Sequence, residues 1–594
     1  MGDLSELLEL SEDKTEPFSQ TEILARLERS RRDELTVTTS SAIPLDRFAV
    51  PPNEHIRILL RPLAQGRAIL DHPNVERVDL LAAAAEGEDA ATPHKVLAVR
   101  QTHLDAKFNV QTAAVRCWLY YNPSSDQIAL NNDGDVPFLL SRVSRDPDGY
   151  AGPLPRIQAE PGAKLMLDPG TWRITTFEGT DLLDLRLIER PLLFFRFRSP
   201  STSSSEDSEV SELIRSTGKR SFVAGDDDYT NPEKRRRASG PANKEGQLVH
   251  LTPSKADGEG KQVAKSTGHP LLDLNTDETL EMPSVGALVG YSYTITKKKP
   301  IASTSSASVF TAEYSGAPGT FIVAKVLNTS LSSRTEHTDA MIAKRVIQQA
   351  ETFLSEMRNH SKLDHDNIVQ LRGGDARLLA IYMEPVDASD LSTKNDWRSI
   401  HNDLFRGDRS DALRILKDVS RALEHMHGKN LQHNDIKPGN VLYSRERGAV
   451  LCDMGLATVQ GARVGGGTPW YVGPELIRGL GGSDDTGRGP RGDIWAVGVM
   501  MLYVLGKMSF PDTRGQRNHP RYSFWMIADA NDRTKSAPMR MQAWLTEVRQ
   551  LRAGLDVHDQ IERLVHGMLA PHPKERPTAT QILSELEGGA SAKK

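Results

Sequence analysis

A short segment of the chain places a carboxylate, an amine and an amide at close spacing. It reads His433-Asn-Asp435-Ile-Lys437-Pro-Gly-Asn440, and a second carboxylate, Asp453, follows 13 residues after the last asparagine. The transfer of a phosphoryl group needs an acceptor for the proton of the nucleophile, cations that neutralise the phosphates, and oxygen ligands for those cations. These side chains can supply all three, so the segment predicts phosphoryl-transfer chemistry.

The motifs resemble those of the eukaryotic protein kinase family, whose catalytic loop reads His-Arg-Asp-x-Lys-x-x-Asn and whose magnesium loop reads Asp-Phe-Gly. The resemblance implies that Asp435 is the catalytic base and that Lys437 contacts the γ-phosphate of ATP. It also implies that Asn440 and Asp453 are the ligands of Mg²⁺. The lysine at position 437 further favours serine and threonine hydroxyls of protein substrates as the acceptors.

Upstream motifs of the same family follow in the expected order. Val323-Ala-Lys325 resembles the strand whose lysine holds the α- and β-phosphates, and Glu356 stands where the next helix carries the partner of that lysine. Taken alone, Lys325 is also explained as an edge-strand lysine that snorkels to the surface. The remaining nucleotide-site residues that the resemblance implies are Ala302, Ala307, Val309, Ala324, Met383, Glu384, Val386 and Leu442.

Downstream motifs match positions that brace the site. Thr468 stands where Ser/Thr kinases have a threonine that touches the catalytic aspartate, and Glu475 ends a segment that resembles the substrate-docking loop. The resemblance pairs Glu475 with Arg576 and places Asp493 on a buried helix under the catalytic loop. We interpret Glu475 and Asp493 as structural rather than catalytic residues.

The phosphate-covering loop departs from the family pattern Gly-x-Gly-x-x-Gly-x-Val. The segment from Ala302 to Val309 has no glycine, although its small residues permit a tight turn and its serine hydroxyls can contribute hydrogen bonds. This departure supports an alternative class, a pseudokinase that binds partners without performing chemistry. Because the catalytic base, the phosphate-binding lysine and both metal ligands are present, we favour an active enzyme.

Two further departures lie beside the catalytic residues. Asn434 replaces the arginine that normally receives a phosphate of the activation loop, so we expect that phosphorylation is not needed to order residues 453–475. His360 stands, four residues after Glu356, where the family has Leu or Met. That histidine either shifts the register of the helix or makes its active position less stable.

These residues need a particular scaffold to bring them together. The resemblance implies a bilobal α+β protein kinase fold over residues 285–588, followed by a short tail, 589–594. A small sheet with one key helix is expected to form the first lobe and a mostly helical unit the second, with Mg-ATP between them.

A different pattern precedes this domain, in residues 45–198. Short β-branched or alternating runs are separated by turn sequences such as NPSSD and NDGD. Many strands without intervening helices predict an all-β sandwich. The predicted strands are 56–62, 96–101, 115–121, 127–132, 137–143, 164–168, 171–177 and 184–189.

Part of this region, WLYYNPSSDQIALNNDGDVPFLL, resembles the strand-turn-strand end of a forkhead-associated domain, a β-sandwich that binds phosphothreonine. The resemblance implies a phosphoprotein partner. The Gly-Arg and Ser-x-x-His elements through which that family holds phosphate are not found convincingly, however. We therefore predict a β module that recruits or positions partners or substrates, with phosphothreonine binding as one alternative.

The remaining segments are polar. Residues 1–44 contain a capped helix, from Ser19 to about Arg32, and a polar connector. Residues 199–284 are rich in Ser, Pro, Gly and charged residues and predict a disordered linker. Two basic clusters between residues 219 and 237 resemble a bipartite nuclear-import signal, and a solvated charge run explains them equally well.

Composition narrows the class of protein. The chain has 594 residues, a formal net charge of -5 and only two cysteines, Cys117 and Cys452. This charge does not indicate direct nucleic-acid binding, and the two cysteines can build neither a disulfide framework nor a zinc cluster. The longest apolar run, Ile494 to Leu505, is too short to span a membrane, and the first residues show no secretory signal. We expect an intracellular protein of the nucleus or cytoplasm, without a membrane partner.

Overall fold

The computed structural model describes residues 44–50, 55–63, 78–83, 94–112, 115–143, 156–190, 194–198, 262–264, 268–282, 292–316, 320–331, 337–462, 466–477, 489–511 and 536–591. The predicted N-terminal helix, the basic clusters between 219 and 237 and the larger part of the predicted linker lie outside these residues. The described segments form an all-β region followed by a region with two lobes.

One seven-stranded and one four-stranded sheet, both antiparallel, make up the N-terminal region. The strands are β1 (Ile56–Pro62), β2 (Val78–Ala83), β3 (His94–Arg100), β4 (Lys107–Gln111), β5 (Arg116–Tyr121), β6 (Ile128–Asn132), β7 (Phe138–Arg142), β8 (Ile157–Ala159), β9 (Lys164–Leu167), β10 (Gly170–Thr176) and β11 (Asp181–Leu187). Their order is β2-β3-β1-β11-β10-β7-β8 in the larger sheet and β4-β5-β6-β9 in the smaller one. Buried side chains of both sheets, among them Ile58, Leu119 and Trp172, share one core. This architecture agrees with the prediction of many strands, whereas the forkhead-associated resemblance stays a prediction.

Strand alternation gives the smaller sheet two different faces. In β5, Cys117, Leu119 and Tyr121 point into the shared core, while Trp118 and Tyr120 belong to a different cluster on the other face. Successive side chains of a strand lie on opposite faces, so this second apolar face needs a cover of its own. Burial raises the pKa of the Cys117 thiol to about 12, which keeps it protonated and unreactive.

A further antiparallel sheet has eight strands and belongs to the first lobe of the C-terminal region. The strands are β12 (Phe194–Arg198), β13 (Gln262–Ala264), β14 (Glu278–Met282), β15 (Tyr293–Ser303), β16 (Ala307–Tyr314), β17 (Thr320–Leu327), β18 (Leu371–Asp375) and β19 (Ala380–Met383). They lie side by side in the order β13-β12-β14-β15-β16-β17-β19-β18.

Two boundaries differ from the sequence prediction. Strand β12 falls in the range assigned to the sandwich, 45–198, yet it pairs with β14 of the eight-stranded sheet. Strand β14 falls in the range assigned to the disordered linker, 199–284, yet Leu280 and Met282 are buried in the core of this sheet. The apolar residues of this short segment stand among charged ones, so the local periodicity is too weak for a strand prediction.

A long helix, α1 (Asp339–His360), packs on the same sheet. The hydroxyl of Thr338 caps its N-terminus and accepts a hydrogen bond from the Met341 amide. Val346, Ala350 and Phe353 recur at intervals of three or four residues and are buried together, which gives the helix an apolar stripe.

In the second lobe, the described residues form a largely helical unit. Its elements are α2 (Arg409–Gly428), α3 (Pro490–Val504), α4 (Ala537–Ala553), α5 (Gln560–Met568), α6 (Ala579–Ser591), β20 (Ser389–Asp390), β21 (Leu431–Gln432), β22 (Val441–Ser444), β23 (Gly448–Leu451) and β24 (Thr458–Val459). Helix α2 begins with a capping box between Asp408 and Asp411, and α3 lies buried in the centre of the core. Within the described ranges, each helix is too short or too polar to cross a membrane.

Candidate active site

The Lys325 amine lies at the centre of the site, between two carboxylates. Its Nζ donates hydrogen bonds of 2.8 Å to each carboxylate oxygen of Glu356 and of 2.7 Å to Oδ1 of Asp453. Strand β17 supplies the lysine, helix α1 supplies the glutamate, and the aspartate follows β23. Three separate elements thus bring an amine and two carboxylates together, and the Glu356 side chain is fully buried.

Burial and charge act in opposite directions on this cluster. Burial would lower the pKa of Lys325, but the nearby Asp453 and Glu356 carboxylates outweigh it and hold that pKa above its usual range. Burial raises the pKa of Glu356, and the charge of the lysine offsets part of this rise. The lysine therefore stays cationic at neutral pH, the state in which an amine can hold a phosphate.

The Asp435 carboxylate is held from both sides. Its Oδ1 accepts hydrogen bonds from the amide and the hydroxyl of Thr468, at 2.9 and 2.7 Å. Its Oδ2 accepts hydrogen bonds from the Lys437 amine at 2.6 Å and from the Asn440 amide at 3.1 Å. Lys437 also donates to the Thr468 hydroxyl at 2.9 Å. Because these groups are buried, the network fixes one orientation of the carboxylate.

Buried groups beneath the catalytic loop hold its main chain. The Asp493 carboxylate accepts hydrogen bonds from the amides of His433 and Asn434, at 3.0 and 2.8 Å, and from Nε2 of His427 at 2.9 Å. Although burial raises it, these hydrogen bonds and the neighbouring histidines hold the pKa of Asp493 below its usual range. Asn434 has a left-handed main chain, with φ of 63°, a conformation that asparagine tolerates. Asp493 therefore braces the loop, as the sequence predicts.

Asn440 and Asp453 carry the donor atoms that a hard divalent cation prefers. The Asn440 amide nitrogen donates to the Asp435 carbonyl at 2.8 Å, which leaves the side-chain oxygen of Asn440 as the atom suited to a cation. Among the described residues, no cluster of three or more His, Cys, Asp or Glu could hold a metal by itself. One carboxylate and one amide suit Mg²⁺ that is shared with nucleotide phosphates, so these residues fit Mg-ATP.

Apolar side chains beside the lysine form a surface that suits an adenine ring. Val309 lies directly across from Lys325 in the pairing of β16 with β17, and Val323 lies across from Met383 in the pairing of β17 with β19. Ala302 lies across from Val309 in the pairing of β15 with β16. The apolar cluster at this place includes Ala307, Val323, Met383, Val386 and Leu442.

Ala324 does not belong to this surface, contrary to the sequence prediction. Side chains alternate along β17, so Ala324 points to the opposite face of the sheet from Lys325. It is fully buried there, in a core with Ile322 and Val326. Val323, two residues before the lysine, takes the place assigned to Ala324, and counting back from Lys325 by two could have found it.

The side chain of Glu384 is engaged with the main chain beside β18. Its carboxylate accepts a hydrogen bond from the Gln370 amide at 3.0 Å, and the Glu384 amide donates to the Gln370 carbonyl at 3.0 Å. These two bonds hold Glu384 against the residue that precedes β18.

The glycine-free loop makes a tight turn without left-handed residues. All residues from 302 to 309 are described, and none of them has a positive φ. The Thr304 hydroxyl accepts hydrogen bonds from the amides of Ser306 and Ala307 at 3.3 and 3.0 Å, and the Thr304 amide donates to the Ala307 carbonyl at 2.8 Å. Glycine is needed where φ is positive, so this turn closes without it.

Arg345 of α1 ties the loop to the helix, a contact for which the sequence gives no signal. Its guanidinium donates to the Ser305 carbonyl at 2.6 Å and to the Asn328 carbonyl at 3.1 Å. The Asn328 amide in turn donates to the Ser306 carbonyl at 2.8 Å. No motif marks a helical arginine for such a contact, so only the tertiary structure reveals it.

His360 lies buried behind the lysine, on the same helix as Glu356. Its Nε2 lies 2.7 Å from the Val369 carbonyl, to which it donates a hydrogen bond. Burial lowers the pKa of His360, so the ring is neutral at pH 7. Since Glu356 reaches Lys325, the histidine does not shift the register of the helix.

The predicted pair of Glu475 and Arg576 is present. Its two nitrogen–oxygen distances are 2.8 and 2.7 Å, and the Arg576 guanidinium lies over the ring of Trp495. Because Arg576 is buried, the pair anchors the segment that ends at Glu475 to the core of the second lobe.

Comparisons with known proteins agree with the resemblance of this region to protein kinases. The protein kinase domain family matches residues 304–586. Calcium-dependent protein kinase 5 of Plasmodium falciparum is 28% identical over 200 residues, which are 32% of this chain and 33% of that protein. Serine/threonine-protein kinase DCLK3 of Mus musculus is 30% identical over 253 residues, 41% of this chain and 28% of that protein.

A third relative, CBL-interacting serine/threonine-protein kinase 21 of Arabidopsis thaliana, is 27% identical over 198 residues, 32% of this chain and 42% of that protein. The chain thus spans less than half the length of each of these relatives, between 28% and 42%. The similarity to these relatives covers 198 to 253 residues and not the proteins as wholes.

Proposed function

Because residues 304–586 belong to the protein kinase domain family, we propose that this chain is an ATP- and Mg²⁺-dependent protein serine/threonine kinase. The observation that carries the proposal is the Lys325 amine, bonded at 2.8 Å to Glu356 and at 2.7 Å to Asp453. Phosphoryl transfer in kinases requires this lysine–glutamate pair beside a carboxylate that holds magnesium.

The chain's own residues orient the acceptor hydroxyl and place positive charge beside the phosphates. Mg-ATP, when bound, supplies the transferable phosphoryl group and the cationic charge that neutralises it. Asp435 orients the serine or threonine hydroxyl and accepts its proton at a carboxylate oxygen, in the orientation that Thr468 fixes. Lys437 and Lys325 place positive charge where the phosphate oxygens become more negative. Asn440 and Asp453 would hold the cation through their side-chain oxygens.

We propose that the described residues of the activation loop, 453–462 and 466–475, are ordered without phosphorylation. The Asn434 side chain donates hydrogen bonds to the Leu456 carbonyl at 2.9 Å and to the Thr458 hydroxyl at 2.8 Å. Strand β24 pairs with β21, which connects the same segment to the chain that precedes the catalytic loop. These contacts support a segment held by an amide where related kinases use an arginine and a phosphate.

The alternative function, a pseudokinase scaffold, depends on the loop without glycines. The turn at Thr304 closes with negative φ throughout, so the missing glycines do not argue against nucleotide binding. We therefore propose an active enzyme and treat the scaffold as the outcome that a negative assay would indicate.

For the sandwich we propose a role in recruiting protein partners, phosphoproteins among them. A cleft of about 600 Å³ on the larger sheet is lined by two arginines, Arg142 and Arg186, and by two carboxylates, Asp46 and Glu189. The arginines can pair with a phosphate, and the carboxylates leave the cleft without an excess of positive charge. Selective retention of phosphothreonine peptides by the full chain, lost in Arg142→Ala, would support this role. Equal retention of unphosphorylated peptides would contradict it.

Residence in the nucleus is a further proposal, based on the basic clusters between 219 and 237. Deletion of residues 234–237 is expected to move a tagged chain toward the cytoplasm. An unchanged distribution would leave these residues as a solvated charge run.

Kinase activity is tested with the full chain, since β12 and β14 complete the sheet of the first lobe. Transfer of labelled phosphate from ATP is measured on the chain itself and on a mixed basic protein, with and without Mg²⁺. Lys325→Met and Asp453→Ala are expected to abolish incorporation into serine and threonine. Lys574→Met and Asp135→Ala, at exposed positions, are the matched controls.

A negative result has a defined meaning in this assay. Equal and negligible incorporation by the wild type and all four variants would refute the proposed function. If ATP also failed to raise the melting temperature of the wild type, nucleotide binding itself would be absent.

A further inference from the structure

The outer face of α1 is covered by the N-terminal sandwich. The helix lies against β5, β6 and β9, which are strands of the smaller sheet. Buried side chains of both partners form a single cluster, with Tyr120, Ala129 and Met166 from the sandwich and Val346 and Ala350 from α1. The second apolar face of the smaller sheet is therefore covered by the helix of the active site.

Polar contacts at Glu351 fix the register of this packing. Oε1 of Glu351, on α1, accepts hydrogen bonds from the Tyr120 hydroxyl at 2.7 Å and from the Lys107 amine at 2.6 Å. Burial and the Glu351 carboxylate both raise the pKa of Tyr120, so its hydroxyl remains a donor at neutral pH. The Lys107 amine also lies 4.2 Å from the centre of the Trp118 ring.

Further bonds connect the sandwich with the sheet of the first lobe. Thr329, just after β17, donates to Oδ1 of Asn122 at 2.9 Å and lies 2.8 Å from the Ser124 hydroxyl. The Ala376 amide, in the turn between β18 and β19, donates to the His103 carbonyl at 2.7 Å. Thr329 and Asn122 are buried, which shields their hydrogen bond from water. The sandwich thus contacts both the helix and the sheet of the first lobe.

Helix α1 is the place where such a cover can affect the reaction. It carries Glu356 five residues after Glu351, and it carries Arg345, which holds the phosphate-covering loop. A shift of this helix would separate Glu356 from Lys325, and control of its position is a recurring means of switching kinases.

We propose that the sandwich acts within the chain as a positioning module for phosphoryl transfer. Through its apolar face and the contacts of Tyr120 and Lys107 with Glu351, it holds α1 in the orientation in which Glu356 reaches Lys325. The inference rests on the proposed kinase function for its catalytic consequence. The sandwich residues are positioning residues, because they act through α1 and touch neither nucleotide nor acceptor. Because α1 covers the second apolar face of the smaller sheet, we expect other proteins to be recruited by the larger sheet.

The test places one charge in the apolar interface of the full chain. Ala129→Asp puts a carboxylate against α1, and it spares the core shared by the two sheets, because Ala129 belongs to the interface cluster. Phe177→Asp, at an exposed position of the same sandwich, is the matched control. Hydrogen exchange of amides 339–360 is measured without nucleotide, and kcat and KM for ATP are measured separately.

We expect Ala129→Asp to speed the exchange of the α1 amides by about tenfold or more and to lower kcat/KM by about tenfold or more, while Phe177→Asp changes neither. Unchanged exchange in Ala129→Asp would overturn the packing of the sandwich on α1. Faster exchange with unchanged kcat/KM would overturn the positioning role. A wild type without kinase activity would refute the proposed function instead, and hydrogen exchange would still decide the packing.

A reciprocal exchange of charges covers the case in which Ala129→Asp does not fold. Lys107→Glu and Glu351→Lys each place two like charges together, and the double variant restores opposite charges. We expect each single variant to lower kcat/KM about threefold, and the double variant to return to within about twofold of the wild type. Additive losses in the double variant would overturn the assignment of this pair.

Discussion

The catalytic loop, residues 433–440, and the phosphate-covering loop, residues 302–309, hold their shapes by different means. In the catalytic loop, buried side chains such as Asp493 and Thr468 bond directly to its atoms, and its residue types follow the family pattern closely. In the phosphate-covering loop, the residue types depart from the pattern, and the Thr304 hydroxyl and the Arg345 guanidinium hold the main chain.

The difference follows from what each loop must supply. Proton acceptance and the neutralisation of phosphate need particular functional groups, a carboxylate and amines, at fixed places. A covering loop must supply a main-chain shape, and different sequences can produce the same shape when φ stays negative. Substitutions should therefore cost catalysis in the first loop and nucleotide affinity in the second.

The largest effect is expected from Asp435→Asn. The amide cannot accept the proton of the hydroxyl, so kcat should fall by about a thousandfold, while KM for ATP stays within about twofold. Steady-state kinetics with a protein substrate measure both constants, and Asp135→Asn is the exposed control. If kcat decreased by less than about tenfold, Asp435 would not be the catalytic base.

Asp493→Asn should break the support of the catalytic loop. The charged acceptor of three hydrogen bonds is lost from a buried site, so the free energy of unfolding should drop by about 3 kcal/mol. Urea denaturation measures the loss, and kcat should fall with it because the Asp435 carboxylate loses its fixed place. A stable variant with normal kcat would show that the loop does not depend on the buried carboxylate.

Arg345→Met should weaken ATP binding while it spares the chemical step. Without its two hydrogen bonds to the main chain, the phosphate-covering loop is less fixed, and KM for ATP should rise about five- to tenfold at nearly constant kcat. Lys344→Met, the exposed neighbour on the same helix, is the control. An equal fall in kcat would mean that the arginine acts on the catalytic groups as well.

Thr304→Gly tests whether the missing glycines are a defect. The change adds a glycine but removes the hydroxyl that accepts two amide hydrogen bonds, so KM for ATP should rise about threefold. A lower KM would show that glycine serves this loop better than threonine. The phosphate-covering loop would then be a weaker form of the glycine-containing loop and not an equivalent one.

The smallest effect concerns the pH dependence of stability. Burial lowers the pKa of His360 below its ordinary value of 6.5, so the unfolded chain binds this proton more readily than the folded chain. The contribution of His360 to stability is therefore complete above pH 6.5 and is lost as the pH falls toward the folded pKa. His360→Leu should flatten the curve of melting temperature against pH between pH 7.5 and 5.5. An unchanged slope would assign the acid sensitivity to other groups, such as His269, whose pKa burial lowers to about 4.

The strands of the sandwich show how far local pattern predicts structure. Eight predicted runs overlap β1, β3, β5, β6, β7, β9, β10 and β11. Strands β2, β4 and β8 were missed, because Lys107–Gln111 has several polar residues and Ile157–Ala159 is too short for a period to be visible. Strand β14 was missed because its few apolar residues stand among charged ones after a long polar stretch.

Among the site residues, too, the sequence pattern predicts some and misses others. Spacing in family order led to Lys325, Glu356, Asp435 and Asp453, which the structure brings into hydrogen-bonded groups. Ala324 was misplaced because a motif matched by residue name ignored the alternation of the strand. Arg345 was missed because no local pattern marks an arginine that bonds to main-chain carbonyls of another element.

The sequence by itself led to the chemistry proposed for this protein. The functions of carboxylates, amines and an amide at fixed spacing follow from their residue types, which can be recognised in the sequence. Only the tertiary structure decided that the sandwich covers α1 and that Arg345 closes the phosphate-covering loop. The bond between Lys107 and Glu351 joins residues 244 positions apart, and such contacts depend on how two surfaces meet. Local periodicity does not predict these contacts, because each surface packs against a partner that lies far away in the sequence.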